Sequence, residues 1–234
     1  MTDLGKLRTF LTLNIERDWS QQTLTIDQGR YIERILLCRG MQVSRSRLTL
    51  LDPNTCLQKC TKSQNHTTLP NTQKISLEMY QSVVGSLMYA MLGTRSDIVY
   101  SVGLVSQFSH ALESNHCIAV KRIFCYLQGT HNYNLLYGKN NNSRAYSEGD
   151  WGSGHDRKSV GGFVFLLNGG TMSWTSKKQW SISLSTTEAE YRAMIQATKE
   201  IIWLQIVLDE IRAFKHLEEM SQLHADNQGA IAIA

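Results

Sequence analysis

Ser185-Thr-Thr-Glu-Ala-Glu-Tyr191 opens a long helical pattern near the end of the chain. Ser185 followed three residues later by Glu188 is a capping box, in which both side chains accept hydrogen bonds from backbone N–H groups at a helix start. Apolar residues then recur at helical spacing as far as Ile211, and most charged residues lie off that row. The stretch predicts a helix with Glu188 in its first turn and Glu190 on a roughly opposite face.

Strand-like segments surround this helix. Three precede it, at residues 144–148, 162–167 and 171–175. The turn residues 168–170 join the last two as a hairpin, and a fourth strand at residues 222–226 passes into a helix start at Asn227. This order predicts an α/β domain in which the fourth strand lies beside the first, with acidic residues at the ends of the elements.

The preceding part of the chain is predicted to be mostly helical after a short hairpin. Residues 8–18 and 22–26 form that hairpin around Trp19-Ser-Gln21, and a helix over residues 27–39 ends at Gly40. Residues 42–76 are polar and hold both prolines, which predicts a linker or an extended loop. Further helices, with apolar rows that we interpret as core packing, are predicted over residues 80–91, 96–111 and 114–128.

Charge is distributed unevenly along the chain. Residues 1–140 hold 15 Lys+Arg against 9 Asp+Glu, a balance of +6, whereas residues 141–234 hold 9 against 11, a balance of −2. A basic part beside an acidic part fits phosphate contact next to a metal-binding cluster, although random surface charge explains such an imbalance equally well. Lys121 and Arg122 are the candidate nucleic-acid-binding residues, and a solvated basic pair is the alternative.

Other classes of protein are disfavoured by the sequence. No apolar run approaches the length of a membrane span, and Met1-Thr-Asp lacks the start of a signal peptide. The odd number of cysteines, five, predicts reduced thiols and an intracellular, cytoplasmic or nuclear, non-secreted protein. Cys56, Cys60 and His66 have a loose spacing for zinc without a second ligand pair, so we interpret the cysteines as free thiols.

Several motifs occur together in one order along the whole chain. They are Met1-Thr-Asp-Leu-Gly-Lys-Leu7, Tyr80-Gln-Ser-Val-Val-Gly-Ser-Leu-Met-Tyr89, Thr94-Arg-Ser-Asp-Ile98, Lys121-Arg-Ile123, Tyr126-Leu-Gln-Gly-Thr130, Trp174-Thr-Ser-Lys-Lys-Gln179, Ser185 to Tyr191 and Asp226-Asn-Gln228. This series resembles the C-terminal part of a copia-type retrotransposon Pol polyprotein, in which the tail of the reverse transcriptase precedes a ribonuclease H domain.

The resemblance implies an α/β (α+β) fold of three parts. Residues 1–50 would be the reverse-transcriptase tail with its hairpin, and residues 51–140 a thumb- or connection-like helical region whose polar linker covers 51–76. Residues 141–234 would form a truncated ribonuclease H-like domain with a mixed sheet.

The resemblance also implies a metal site. Acidic residues of the family hold two Mg²⁺ ions for cleavage of the RNA strand of an RNA–DNA hybrid. Motif by motif, Glu188 occupies the helix acid and Asp226 the fourth-strand acid, while Glu148 replaces the aspartate of a Ser-Asp-Ala-Asp-Trp motif. Glu148, Glu188 and Asp226 are thus the candidate catalytic residues, and Asp150 joins them as a candidate metal ligand. From the residues alone, Glu188 could instead cap its helix or pair with Arg192, and Asp226 could be a helix cap.

Three functions remain open from the sequence: a magnesium-dependent ribonuclease H fragment, a non-catalytic nucleic-acid-binding or scaffold protein derived from it, and the product of a decayed reading frame. The longer Glu148 side chain displaces its carboxylate by about an ångström, which can cost about a hundredfold in rate. The chain also stops at Ala234, ahead of the family's later acid, and contains no Asp-Asp pair for polymerase chemistry. We therefore expect weak or lost cleavage, no polymerase activity, and an RNA–DNA hybrid or primer–template duplex as the partner.

Overall fold

The computed structural model describes residues 5–52, 57, 66–68, 74–139, 143–152, 156–211 and 222–234. The chain divides into two compact units. The N-terminal unit comprises Met1–Trp19 and Leu24–Leu135, and the C-terminal unit comprises Ser20–Thr23 and Leu136–Ala234. Helices and sheets occur together, which confirms the predicted mixed α+β class. Within the described residues, no helix combines the length and the apolar character that crossing a membrane requires.

The elements of the described residues follow the predicted order closely. In chain order they are β1 (Thr9–Phe10), β2 (Leu13–Asp18), β3 (Thr23–Asp27), α1 (Gly29–Cys38), β4 (His66–Thr68), β5 (Lys74–Ser76), α2 (Leu77–Gly93), α3 (Val99–Ser106), α4 (Ser114–Gly129), β6 (Asn134–Tyr137), β7 (Ser143–Asp150), β8 (Val160–Leu167), β9 (Gly170–Lys178), α5 (Thr186–Glu210), β10 (Leu223–His224) and α6 (Gln228–Ile233). Several parts differ from the prediction. Residues 8–18, predicted as one strand of the hairpin, contain both β1 and β2, and β6 has no counterpart in the prediction. Within the predicted linker, β4 and β5 pair antiparallel. The helix predicted over residues 96–111 is instead a 3-10 turn at Ser96–Ile98 followed by the short α3.

The early end of α3 has a local cause. The hydroxyl of Ser106 donates to the carbonyl of Gly103 at 2.7 Å, and that of Ser109 donates to the carbonyl of Ser106 at 2.8 Å. Serine side chains that bond to nearby carbonyls compete with helical hydrogen bonding, which favours a turn over a continued helix. Apolar periodicity alone therefore overestimated the length of this helix.

One core holds the helices of the N-terminal unit together. Helix α1 buries Ile32 and Leu36 against the same cluster that contains Leu87 of α2 and both Ile123 and Leu127 of α4. The apolar rows predicted as core packing are confirmed at Leu87, Ile123 and Leu127. Because α1 shares this core with α2 and α4, residues on both sides of position 50 belong to one compact unit.

A buried arginine fixes the end of α2 against the end of α4. The Arg95 side chain is 1% exposed, and its guanidinium donates two hydrogen bonds to the Asp97 carboxylate at 2.9 and 2.7 Å. It also donates to the carbonyl and the hydroxyl of Thr130, at 3.0 and 2.7 Å. Burial favours a higher pKa for Asp97, but hydrogen bonds and charge from Arg95, with a further bond from Tyr126, hold that pKa below its usual value. The motifs around Arg95 and Thr130 thus have a structural role.

The C-terminal unit is built on a four-stranded sheet of order β10-β7-β8-β9. Strands β7, β8 and β9 are antiparallel neighbours, and β10 pairs parallel with β7 through Leu223 opposite Ala145. The predicted hairpin and the predicted place of the fourth strand beside the first are confirmed.

Helix α5 lies against this sheet through small side chains. Its buried row includes Ala189, Ala193 and Ala197, which allow a close approach of the helix to β7 and β8. The approach is closest at Gly149 of β7, where a Cβ atom would lie 2.7 Å from the carbonyl carbon and oxygen of Ala189. The glycine therefore brings the end of β7 directly beside the first turn of α5.

Candidate metal centre

Three carboxylates converge from three elements of the C-terminal unit. Glu148 projects from β7, Glu190 from the first turns of α5, and Asp226 follows β10, and one oxygen of each lies within 4.8 Å of the others. Strand pairing explains two of the positions, because β10 lies parallel to β7 with His224 opposite Tyr146. The contact of α5 with β7 places the third. We call Glu148, Glu190 and Asp226 the carboxylate trio.

Glu190 is the buried member of the carboxylate trio. Its side chain is only 6% exposed, and its Oε2 atom has no hydrogen-bond partner among the described residues. Burial raises the pKa of Glu190, the nearby charges of Glu148 and Asp226 raise it further, and a hydrogen bond from the Gly149 backbone N–H opposes them. A buried carboxylate oxygen without a partner is costly unless a cation or water satisfies it.

The exposed members of the trio repel one another. The pKa of Glu148 is raised by partial burial and then by the negative charges of Asp226 and Asp150. Hard oxygen ligands crowded in this way are the donor set that a divalent cation such as Mg²⁺ prefers. Asp150, the predicted additional ligand, adds to the negative field at Glu148 but is not one of the three grouped residues.

Glu188, the predicted helix acid, has a different environment. Its carboxylate accepts from the Leu184 backbone N–H at 2.7 Å and pairs with Arg192 at 2.6 Å, while its own N–H donates to the Ser185 hydroxyl at 3.1 Å. The pKa of Glu188 is lowered, chiefly by the hydrogen bond from Leu184. Desolvation opposes this shift by a smaller amount, and the hydrogen bond and charge of Arg192 lower the pKa further. This is the capping and pairing arrangement that the sequence offered as the alternative. In the structure the helix acid beside Glu148 and Asp226 is Glu190.

A sequence signal for Glu190 did exist. Glu190 precedes Met194, Ala197 and Ile201 by four, seven and eleven positions, so it falls on the buried row of α5. An acidic residue on an apolar row is the informative exception, because charged side chains are rarely buried without a partner. The family motif indicates instead Glu188, two positions earlier.

An open cavity of about 440 Å³ adjoins the trio on the exposed side of the sheet. Glu148 and Asp226 line one part of it, and Phe163 lines another. Tyr146 and His224 also line it and stack on each other with ring centroids 5.1 Å apart. Two exposed carboxylates and several aromatic side chains thus line the same cavity.

Lys121 and Arg122, the predicted basic pair on α4, differ in their contacts. Arg122 donates to the carbonyl and hydroxyl of Thr49, at 3.2 and 2.6 Å, and pairs with Asp52 at 3.5 Å. Its guanidinium therefore anchors the segment after α1, whereas Lys121 is exposed. Phosphate contact by either residue stays a prediction. Cys56 and Cys60 lie outside the described residues, as does the side chain of His66.

Comparison with known proteins finds relatives among the polyproteins of plant transposons. The chain is 37% identical to the "Retrovirus-related Pol polyprotein from transposon TNT 1-94" of Nicotiana tabacum over an alignment of 236 residues, which covers 100% of this chain and 17% of that protein. It is 34% identical over 221 residues to the corresponding polyprotein from transposon RE1 of Arabidopsis thaliana, with 93% of this chain and 14% of that protein matched. A third relative, "Secreted RxLR effector protein 161" of Plasmopara viticola, is 43% identical over 130 residues, which are 54% of this chain and 92% of that protein.

The other two comparisons found nothing comparable. No protein-family model and no solved structure matches the chain. The chain spans less than a fifth of the transposon polyproteins, since the matched shares of those proteins are 17% and 14%.

Proposed function

Because this chain is similar to part of the retrovirus-related Pol polyproteins of transposons, we propose that its C-terminal unit is a ribonuclease H-type domain. The domain would hydrolyse the RNA strand of RNA–DNA hybrids with Mg²⁺, at a low rate. The observation that carries this proposal is the convergence of the carboxylate trio within 4.8 Å. We expect a low cleavage rate because Glu148 stands where the family has an aspartate, and its side chain is longer by one methylene.

The trio suits a divalent cation in both chemistry and burial. Glu148, Glu190 and Asp226 supply hard oxygen ligands from three different elements, and the buried Oε2 of Glu190 has no other partner among the described residues. Bound Mg²⁺ would activate a water and stabilise the leaving oxygen of the cleaved strand.

The chain's own residues hold this site in place. Burial and the hydrogen bond from the Gly149 amide hold the Glu190 carboxylate in a fixed position. Glu148 and Asp226 are exposed, so a cation that they would hold together with Glu190 would be open to the substrate backbone.

Cleavage of a labelled hybrid tests the proposal directly. With Mg²⁺ we expect slow release of RNA fragments and no cutting of a DNA duplex of the same sequence, and chelation with EDTA should stop the reaction. Calorimetric Mg²⁺ binding provides a readout that does not depend on activity. Asp226→Asn should weaken both, because it removes one of the three ligands. Cleavage that persists in EDTA or in Asp226→Asn would exclude this site.

A second candidate function is a non-catalytic nucleic-acid-binding or scaffold protein. The replacement of the family's aspartate by Glu148 favours it, since carboxylate misplacement by about an ångström reduces catalysis more than it reduces binding. Hybrid binding without Mg²⁺-dependent cleavage would support this alternative. Polymerase activity is no part of either proposal, because the chain contains no Asp-Asp pair.

We expect Glu148→Asp to raise the cleavage rate by about tenfold. Shortening the side chain returns the carboxylate towards the position that an aspartate occupies, and correct placement of a reacting group controls rate steeply. The measurement is single-turnover cleavage of the hybrid at saturating Mg²⁺. Glu148→Gln is the matched control and should lose activity, because it keeps the length but removes the charge. A rate in Glu148→Asp equal to or below that of the unaltered chain would show that side-chain length is not limiting.

A further inference from the structure

The connection between β9 and α5 presents its apolar side chains to solvent. Trp180 is 85% exposed and Leu184 is 88% exposed, and Ile182 between them is also exposed. The alternating serines face the protein instead. Ser183 is buried and donates to the Gln179 side chain at 2.9 Å, while Ser181 accepts a hydrogen bond from Arg192. The usual preference for buried apolar and exposed polar side chains is therefore inverted along this connection.

Hydrogen bonds hold the connection in this inverted arrangement. The Gln179 side chain donates to the carbonyl of Ala189 at 2.8 Å, and the Leu184 N–H donates to Glu188 at 2.7 Å. The Trp151 indole also donates to the carbonyl of Ser183 at 3.0 Å. These hydrogen bonds keep the large apolar side chains exposed as a group. Such a group marks an interaction surface better than scattered exposed apolar side chains do.

The position of this surface favours nucleic acid over another protein. The connection is hydrogen-bonded to the first turn of α5. Ala189, whose carbonyl accepts the bond from Gln179, immediately precedes Glu190 of the carboxylate trio. A strand whose phosphate lies at the trio must continue across neighbouring surface. In an A-form helix the wide, shallow minor groove offers sugar and base edges for contact.

Local charge points to the same partner. The Arg192 guanidinium, which also pairs with Glu188, lies over the Trp180 ring, 5.9 Å from its centroid. Lys177 is exposed near the end of β9, and Arg157 is exposed just before β8 at the same end of the sheet. Exposed aromatic rings combined with cations are the usual surface for stacking bases and contacting backbone phosphates.

We propose that Trp180 and Leu184 form a positioning surface that contacts the RNA–DNA hybrid beside the carboxylate trio. That the hybrid lies beside the trio rests on the proposed function. That Trp180 and Leu184 contact it rests on their exposure, on the hydrogen bonds that hold the connection, and on the nearby cations. Trp180 would stack on a base or sugar, and Leu184 would contact sugars in the groove. Both are positioning residues, since neither belongs to the trio.

Hybrid binding measured without cleavage tests this surface. The full chain is titrated into a fluorescently labelled RNA–DNA hybrid in EDTA, and affinity is read from anisotropy. Trp180→Ala should weaken binding by about tenfold, the usual scale for loss of one base–aromatic contact, and Trp180→Phe should lose less. Trp203→Ala is the matched control, because Trp203 is 55% exposed on α5 but lies roughly 20 Å along the helix from Glu190. It should bind as the unaltered chain does.

The outcomes separate this inference from the proposed hydrolysis. Weaker binding in Trp180→Ala, with no cleavage by the unaltered chain, supports the surface and rejects the nuclease. Cleavage that depends on Asp226, with equal binding by all three variants, supports the nuclease and overturns the surface. Failure of the unaltered chain to bind the hybrid also overturns the surface. Self-association that Trp180→Ala abolishes, with hybrid binding unchanged, would identify a contact between copies instead.

Discussion

Glu190→Gln is expected to reduce Mg²⁺-dependent cleavage by at least about a hundredfold, whereas Glu188→Gln should change it by less than about twofold. Glu190 is the buried member of the carboxylate trio, so its neutralisation removes a fixed ligand from the site. Glu188 is bonded to Leu184 and Arg192 instead. Because the two glutamates differ in position by two residues and receive the same substitution, each controls for the other.

Two further measurements make this comparison decisive. Calorimetry should show weaker Mg²⁺ binding for Glu190→Gln only. Thermal unfolding should show a small loss of stability for Glu188→Gln only, since that variant weakens the start of α5. The reverse result, with cleavage lost in Glu188→Gln and kept in Glu190→Gln, would restore the assignment made from sequence motifs.

Asp97→Asn is expected to lower the free energy of unfolding of the N-terminal unit by about 2 kcal/mol. Removing one partner of a buried pair leaves the other charge uncompensated at a cost of about 3–5 kcal/mol, reduced here because Asp97 is 32% exposed. Urea denaturation, with hydrogen exchange followed on peptides from α2 and α4, measures the change in this unit. The double variant Arg95→Met/Asp97→Asn should recover part of the loss, because no buried charge then remains at this site.

The pH dependence of the same pair has a defined sign. Asp97 has a lowered pKa in the folded state, so its contribution to stability is present above the unfolded-state pKa of about 4 and is lost as pH falls through the folded value. The stability difference between the unaltered chain and Asp97→Asn should therefore shrink on acidification below about pH 4. A difference that stays constant across this range would show that the pair contributes through shape rather than charge.

Local sequence determined most of the elements of the C-terminal unit. The Ser185 capping box starts α5, and the apolar row from Ala189 gives the helix its buried face, because helical hydrogen bonds and side-chain spacing act over a few residues. The turn at residues 168–170 joins β8 and β9, as predicted. Family motifs indicated an acidic site and supplied Glu148 and Asp226, which the structure brings together.

Tertiary structure decided which side chains meet. Glu188 and Glu190 point to different faces of one helix, and only the approach of α5 to Gly149 determines that Glu190 turns towards Glu148 and Asp226. Tertiary contacts with Thr49 and Asp52 likewise determine that Arg122 anchors the segment after α1, a role that its sequence surroundings did not indicate. Sequence patterns specify the faces of an element, but the neighbour against each face comes from residues distant in the chain. Burial and partner choice for these charged groups are therefore set by packing.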